Sequence, residues 1–296
     1  MPDAHRLNLS AGLASVTVAA LLVGLKIWAL GETQALSVAA SLADSTLDLM
    51  MSLGGLAAIL YAARPPDEDH TFGHSSAEDL AALGQAVFIL ASAGVIGVAA
   101  LLRLTAADPI PLTAEGRGIA AMSLAIALTL GLVLWQRRVA ARTGNRVVRA
   151  DSLHYLGDLL PNIGAILALW ASDQFGLARL DSAIALATAA MLAVGALGIG
   201  RGAWDALMDR AADPQVIVRI ERLAENQPGV LGFHDLKTRR AGARLFVNLH
   251  IELDGRQSLN DAHAIGAALK HAILAEFPGT DIIIHFDPAR RPDTPG

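Results

Sequence analysis

The stretch LADSTLDLM, residues 42–50, decides how this chain is read: it lies inside a long apolar run, yet carries Asp44 and Asp48. Four residues apart, the two carboxylates fall on one face of a helix. A charge at a bilayer centre costs about 2.5–3.5 kcal/mol on insertion scales, and two like charges side by side disfavour each other's ionisation. Something must compensate them. A second apolar run supplies the matching pair in HYLGD (154–158), where His154 and Asp158 are again i, i+4. Two helices that each present two donors on one face can enclose a cation tetrahedrally, through three carboxylates and one imidazole. A lone intramembrane aspartate is as easily read as a packing residue, but two matched pairs in different runs point to a site.

That donor set suits Zn²⁺ and also admits Fe²⁺, Cd²⁺, Co²⁺ and Mn²⁺; it excludes Cu⁺ and disfavours Mg²⁺ and Ca²⁺. Four protein ligands leave no open position for a water nucleophile, so the site holds metal rather than hydrolysing anything. No H-E-x-x-H motif is present, and no enzyme is expected. Aspartate and histidine must shed protons to bind, which makes metal exchangeable for protons and is the physical basis of a metal/proton antiporter. Asp151, three residues before His154, reads either as a helix-start residue or as a vestibule carboxylate. Lys26, inside the first run, is expected to snorkel or to face a polar pocket.

Outward from these pairs, the chain of 296 residues is 53% hydrophobic and only 17% charged, against roughly 25% charged in soluble domains. A spanning helix needs about 20 mostly apolar residues. Runs at 9–30, 35–62, 77–104, 114–136, 149–172 and 180–203 meet that need, so a six-helix transmembrane domain is expected over 1–207. The first run is long enough to stay as an anchor, and no signal-peptide cleavage pattern precedes it. Small residues such as Gly54, Gly55, Gly195 and Gly198 let such helices approach closely. QRRVAARTGNRVVRA (136–150) holds five arginines, whereas 31–34, 105–116 and 172–181 hold only Arg179. Positive-inside bias therefore puts the 137–149 loop, both termini and the DEDH loop in the cytoplasm.

Past residue 208 the pattern changes to a helix at 213–226, strands at 230–240 and 243–253, a helix at 258–277 and a strand at 280–287. The order αββαβ predicts a small α+β domain, ferredoxin- or metallochaperone-like, over 208–296. Its histidines His234, His250, His263 and His285, with Asp287, can converge on a two-metal site if the strands are adjacent. Alternation puts His250 on a face with Phe246, Asn248 and Glu252, and His285 with Asp287. His271 and His5 read as surface residues. Between the second and third apolar runs, PPDEDHTFGH (65–74) offers Asp67, His70 and His74, which share a face if the segment begins a helix; an acidic solvated loop is the competing reading. No cysteine is present, which removes disulfides and thiolate sites, and the net charge of −5 gives no basic surface for nucleic acid.

The motifs ADSTLD (43–48), DEDHTFGH (67–74), VRADSLHYLGD (148–158), HDLKTRRAG (234–242), LHIELD (249–254) and IIIHFDP (282–288) together resemble the cation diffusion facilitator family, in its bacterial ferrous-iron/zinc efflux branch. The resemblance covers nearly the whole chain. It implies a homodimeric metal/proton antiporter of the bacterial inner membrane, embedded in lipid, exporting Zn²⁺ or a similar ion by alternating access. It also implies a transport site of Asp44, Asp48, His154 and Asp158, and a loop site of Asp67, His70 and His74. A binuclear, metal-responsive site of His234, His250, His263, His285 and Asp287 completes the set. The sequence departs from the family at Ser76, where relatives carry a lysine that pairs with the aspartate corresponding to Asp209; Asp209 is left to pair elsewhere, an arginine being the natural candidate. A different class of protein, a metal-responsive membrane sensor that transports nothing, is the alternative.

Overall fold

The computed structural model describes residues 2–33, 36–105, 116–175 and 180–289, without the side chains of 2, 3, 29–33, 36–41, 43, 44, 116–123, 161, 162, 164–175, 180 and 181. The chain divides into two compact units, Pro2–Trp204 and Asp205–Gly296.

Among the described residues, the first unit has six long helices: α1 Pro2–Thr33, α2 Leu36–Ala62, α3 Ser76–Thr105, α4 Gly116–Thr143, α5 Arg146–Phe175 and α6 Leu180–Leu207. At about 1.5 Å per residue each is roughly 40–48 Å long, more than a hydrocarbon core of about 30 Å requires. Among the described residues, five segments are long and apolar enough to cross a membrane: Ala4–Trp28, Ser45–Ala62, Ser76–Thr105, Leu124–Thr143 and Ser182–Leu207. The sixth expected span is α5, whose first half carries Arg146, Arg149, Asp151 and Asp158.

One expectation is corrected here. Residues 137–149 are not a loop: α4 continues through Arg137, Arg138 and Arg142 to Thr143, and α5 begins at Arg146. The connection is Gly144–Asn145, with Gly144 at φ +69°, a conformation that favours glycine. Asn145 Oδ1 accepts the Val148 N–H at 3.0 Å and so caps α5. The apolar run ends at the arginines, but the backbone hydrogen-bond ladder does not.

Around this end, Ala82 and Ala86 of α3, Val139 of α4, Val147 and Ala150 of α5, and Ile199 and Ala203 of α6 form one buried cluster. Glycines set the helix spacing. A Cβ on Gly157 or Gly195 would lie 3.0 Å or less from Leu192 or Leu153 side-chain atoms, so α5 and α6 touch through each other's glycine positions. Asp79 of α3, almost wholly buried, pairs with Arg146 of α5.

The second unit contains α7 Pro214–Glu225, β1 Gly232–Ala241, β2 Arg244–Leu253, α8 Leu259–Glu276 and β3 Asp281–Pro288, the expected αββαβ order. Its sheet, β1-β2-β3, is three-stranded, antiparallel between β1 and β2 and parallel between β2 and β3. A ferredoxin-like layout (βαββαβ) has one strand more, so that likeness is partial. Apart from Phe246, buried on the other face, burial alternates along β2. Leu245, Val247, Leu249, Ile251 and Leu253 pack with Ile220 and Ala224 of α7 and Leu269 and Ile273 of α8, while His250 and Glu252 face away from both helices.

Gly266 of α8 lies so close to β3 that an added Cβ would sit 2.3 Å from Phe286 Cε1. Alanine in place of a helical glycine gains about 1 kcal/mol of propensity, but overpacking costs about 1–3 kcal/mol. Gly266→Ala is therefore expected to lower the denaturant midpoint of this unit, and a raised midpoint would contradict the packing described.

Candidate metal centres

Three groups of histidine and carboxylate side chains among the described residues bring their donor atoms within 4.8 Å of one another. Bonds of about 2.0–2.2 Å to a tetrahedral ion set donor atoms roughly 3.3–3.6 Å apart, so each separation below can be compared with that spacing.

The first group lies between α2 and α5. His154 Nε2 is 3.0 Å from Asp48 Oδ1 and 4.0 Å from Asp158 Oδ2. His154 and Asp48 are largely enclosed, with side chains 11% and 12% exposed, while Asp158 is more open at 39%. The Phe88 ring of α3 meets the imidazole edge-on at 5.8 Å between centroids, an apolar wall on one side of the group. Asp44 belongs to α2, one turn before Asp48, but its side chain lies outside the described residues. Lys26 faces polar surroundings instead of snorkelling: its Nζ donates to Ser45 Oγ at 2.5 Å, beside the aspartate pair in sequence.

Polar contacts continue along the same seam. Tyr155 OH and Ser52 Oγ are 2.8 Å apart, and Ser15 Oγ lies 2.8 Å from Ser52 Oγ. Gln136 Nε2 donates to Asp151 Oδ2 at 2.6 Å. Asp151 is thus neither a helix-start residue nor an open vestibule carboxylate: α5 starts at Arg146, and Asp151 is buried inside the bundle. Its sequence position gave no sign of Gln136, because that partner comes from a different helix.

The second group is Asp67, His70 and His74, and it is not helical. The segment from Arg64 to Ser75 precedes α3 as loop and turn. Asp67 Oδ1 accepts the His70 N–H at 2.7 Å, which curls the chain back on itself in the manner of an Asx-turn. The three donors therefore converge without a shared helix face: His70 Nδ1 stands 3.2 Å from Asp67 Oδ1, and His74 Nε2 3.2 Å from Asp67 Oδ2. His74 is buried, edge-on to Tyr61 at 4.6 Å between ring centroids. The bond from the His70 backbone N–H, with the nearby imidazoles, holds the Asp67 carboxyl below the usual carboxylate range.

The third group lies on the helix-free face of the sheet. Register puts His234 opposite His250 and His250 beside His285, one histidine on each strand in a single row. Asp287 sits one residue pair further along, beside Glu252. Its two oxygens serve different imidazoles: Oδ2 is 3.0 Å from His250 Nδ1 and 3.3 Å from His234 Nε2, whereas Oδ1 is 3.3 Å from His285 Nε2. A carboxylate so placed can bridge two ions. The hydrogen bond with His250, ahead of the charges of His285 and His234, holds Asp287 below the usual carboxylate range. Because ligands must be deprotonated to bind, metal binding at such a site weakens as pH falls.

The row exists because β1 bulges. Between His234 and Lys237 it has one residue more than β2 has between His250 and Asn248, and Asp235 takes φ +51°. Strict alternation would have turned His234 toward the helices. His263 is the exception among the expected ligands: it stands exposed on α8, in the helical layer, and the single chain does not bring it to the group. Glu252 was not expected as a ligand, yet its Oε1 is 3.9 Å from His234 Nε2; its signal was the i, i+2 spacing from His250.

In donor type and spacing, the loop and sheet groups both fit a Zn²⁺-class ion. The loop group would hold it with Asp67, His70 and His74, the sheet group with His234, His250 and Asp287, His285 standing at the other Asp287 oxygen. A bound ion there would tie separate strands or turns together.

Asp209, at φ +55°, pairs with Arg239 at 3.0 Å, and Arg239 in turn covers the Phe246 ring at 4.2 Å. Asp209 therefore pairs with an arginine of its own unit.

Residues 12–208 match the family described as "Cation efflux transmembrane domain", and residues 212–289 the one described as "Cation efflux protein, cytoplasmic domain". The cation-efflux pump FieF of Yersinia enterocolitica serotype O:8 / biotype 1B is 40% identical over 287 residues, 97% of this chain and 95% of its own. FieF of Yersinia pestis (strain Pestoides F) is 39% identical with the same coverage. A solved CzrB structure is 33% identical, covers 27% of this chain and 100% of its own, and has a TM-score of 0.26.

Proposed function

This chain belongs to the cation efflux family, and we propose on that premise that it is an inner-membrane antiporter exporting Zn²⁺, or a similar divalent transition-metal ion, in exchange for protons. Metal-cation efflux is the activity its relatives are named for. The observation that carries the finer reading is the Asp48–His154–Asp158 group, enclosed between two helices of the membrane unit.

Asp44, Asp48, His154 and Asp158 form the transport site in this reading. Deprotonated, the four bind the ion from the cytoplasm, and the ion's charge offsets the carboxylates that the bilayer disfavours. When the helices rock to the outward-open state, protons arriving from outside replace the metal on the same ligands. The empty site then returns protonated, with the electrostatic cost met in both states. One ligand set serves metal and proton in turn, so the two fluxes are coupled.

Positive-inside bias at the arginine-rich ends of α4 and α5 supports a cytoplasmic location for both termini, the loop group and the αββαβ unit. There the loop and sheet groups bind the same ion and report its abundance. The sheet group also supports assembly as a homodimer: among the described residues His285 and Asp287 supply two donors to the second position, leaving room for ligands from elsewhere in a pair.

Purified protein in proteoliposomes tests this. An imposed pH gradient should drive Zn²⁺ across the membrane, and collapsing the gradient should stop it. A sensor without transport would bind metal in its cytoplasmic unit and show no flux under either condition. The enclosed group in the membrane unit, for which a sensor has no need, favours transport.

A further inference from the structure

Five arginines cluster where α4 ends and α5 begins, and they are not used alike. Arg146 pairs with Asp79, and in the other unit Arg210, Arg219, Arg239 and Arg244 each have a carboxylate partner. Arg137 and Arg149 have none among the described residues, and both are exposed. They stand at a cavity of about 410 Å³ between α4, α5 and α6. The rest of its lining, Ser152 apart, is apolar, with Ala140, Leu153, Gly195 and Ile199 among it. Ser152 also lines it, buried to 4% exposure, and Ser152 Oγ has no hydrogen-bond partner.

A buried hydroxyl without a partner is costly, and two unneutralised guanidinium groups beside it call for an anion. The guanidinium fork matches a phosphate. The apolar wall beside the charges suits a chain of methylenes and gives a free ion nothing to contact. We propose that this cavity binds an anionic membrane phospholipid, its phosphate held by Arg137, Arg149 and Ser152 and its acyl chain lying along Ala140 and Ile199. Basic pockets between membrane helices on the cytoplasmic side have the right field for such headgroups.

The occupant would touch α5 at Ser152 and at Leu153, His154's neighbour, and α6 at Gly195, where Leu153 packs. A lipid seated there would span the seam between α5 and α6. The site is separate from the metal ligands and needs no metal to be read.

The test uses the full chain in detergent, titrated with phosphatidylglycerol or phosphatidylcholine and followed by native mass spectrometry. Wild type should retain phosphatidylglycerol preferentially. Arg137→Gln/Arg149→Gln should bind it about 30-fold more weakly, the combined effect of two basic residues near an anionic lipid. Ser152→Val, which leaves both charges in place, should weaken it to a smaller degree. Arg138→Gln/Arg142→Gln removes the same charge from positions that do not line the cavity and should retain the preference. The proposal is overturned if the Arg137/Arg149 variant keeps wild-type retention. Equal loss in the Arg138/Arg142 variant also overturns it, since that is bulk charge. So does inorganic phosphate occupying the site with no preference between the two lipids.

Discussion

Asp48→Ala is expected to abolish proton-driven Zn²⁺ flux in proteoliposomes while leaving metal binding in the cytoplasmic unit intact. Asp48 is the proposed ligand nearest His154, 3.0 Å from its Nε2, and both are enclosed. Its removal takes one of the four proposed ligands and leaves the imidazole facing a cavity in an apolar setting bounded by Phe88. Replacing even an outer-shell partner of a metal ligand costs about 10–100-fold, so loss of the ligand itself should reduce flux by more than about 100-fold. Asp48→Asn keeps the shape and one oxygen but carries no negative charge and cannot exchange a proton for metal. It should fail in the same way, which separates lost chemistry from lost packing. Asp44→Ala is expected to match it, as the fourth member of the proposed set. Flux within about threefold of wild type in either aspartate variant would end the reading of α2 as half of a transport site.

The second large effect is expected at Asp287. Because one oxygen faces His234 and His250 and the other faces His285, Asp287→Ala should disable both positions of the sheet group at once. Calorimetric titration of the full chain should show Zn²⁺ affinity there falling by more than about 100-fold, with two binding events lost. His285→Ala, by contrast, should lose one event and spare the His234–His250–Asp287 position. If Asp287→Ala and His285→Ala lose the same number of ions, the carboxylate does not bridge.

The grouping of Asp48, His154 and Asp158 was legible because its signal is local. Asp44 with Asp48 and His154 with Asp158 repeat at helical spacing inside apolar runs, and a bilayer leaves few alternatives for such residues. The loop group was legible in its residue types but not in its geometry: Asp67 gathers His70 and His74 by accepting a backbone N–H, not by sharing a helix face. Asp151 was misread for want of its partner, Gln136, fifteen residues earlier on another helix.

The sequence by itself determined the six long helices, the αββαβ order and the kinds of atom offered to metal, because periodicity and side-chain chemistry are properties of short segments. Only the tertiary structure decided which of those atoms meet. The one-residue bulge at Asp235 turns His234 toward His250, parallel pairing of β2 with β3 brings His285 and Asp287 alongside, and His263 is left on the helical layer. The physical reason is that a single extra residue reverses which face a strand side chain takes, and its cost is repaid by contacts with strands distant in sequence.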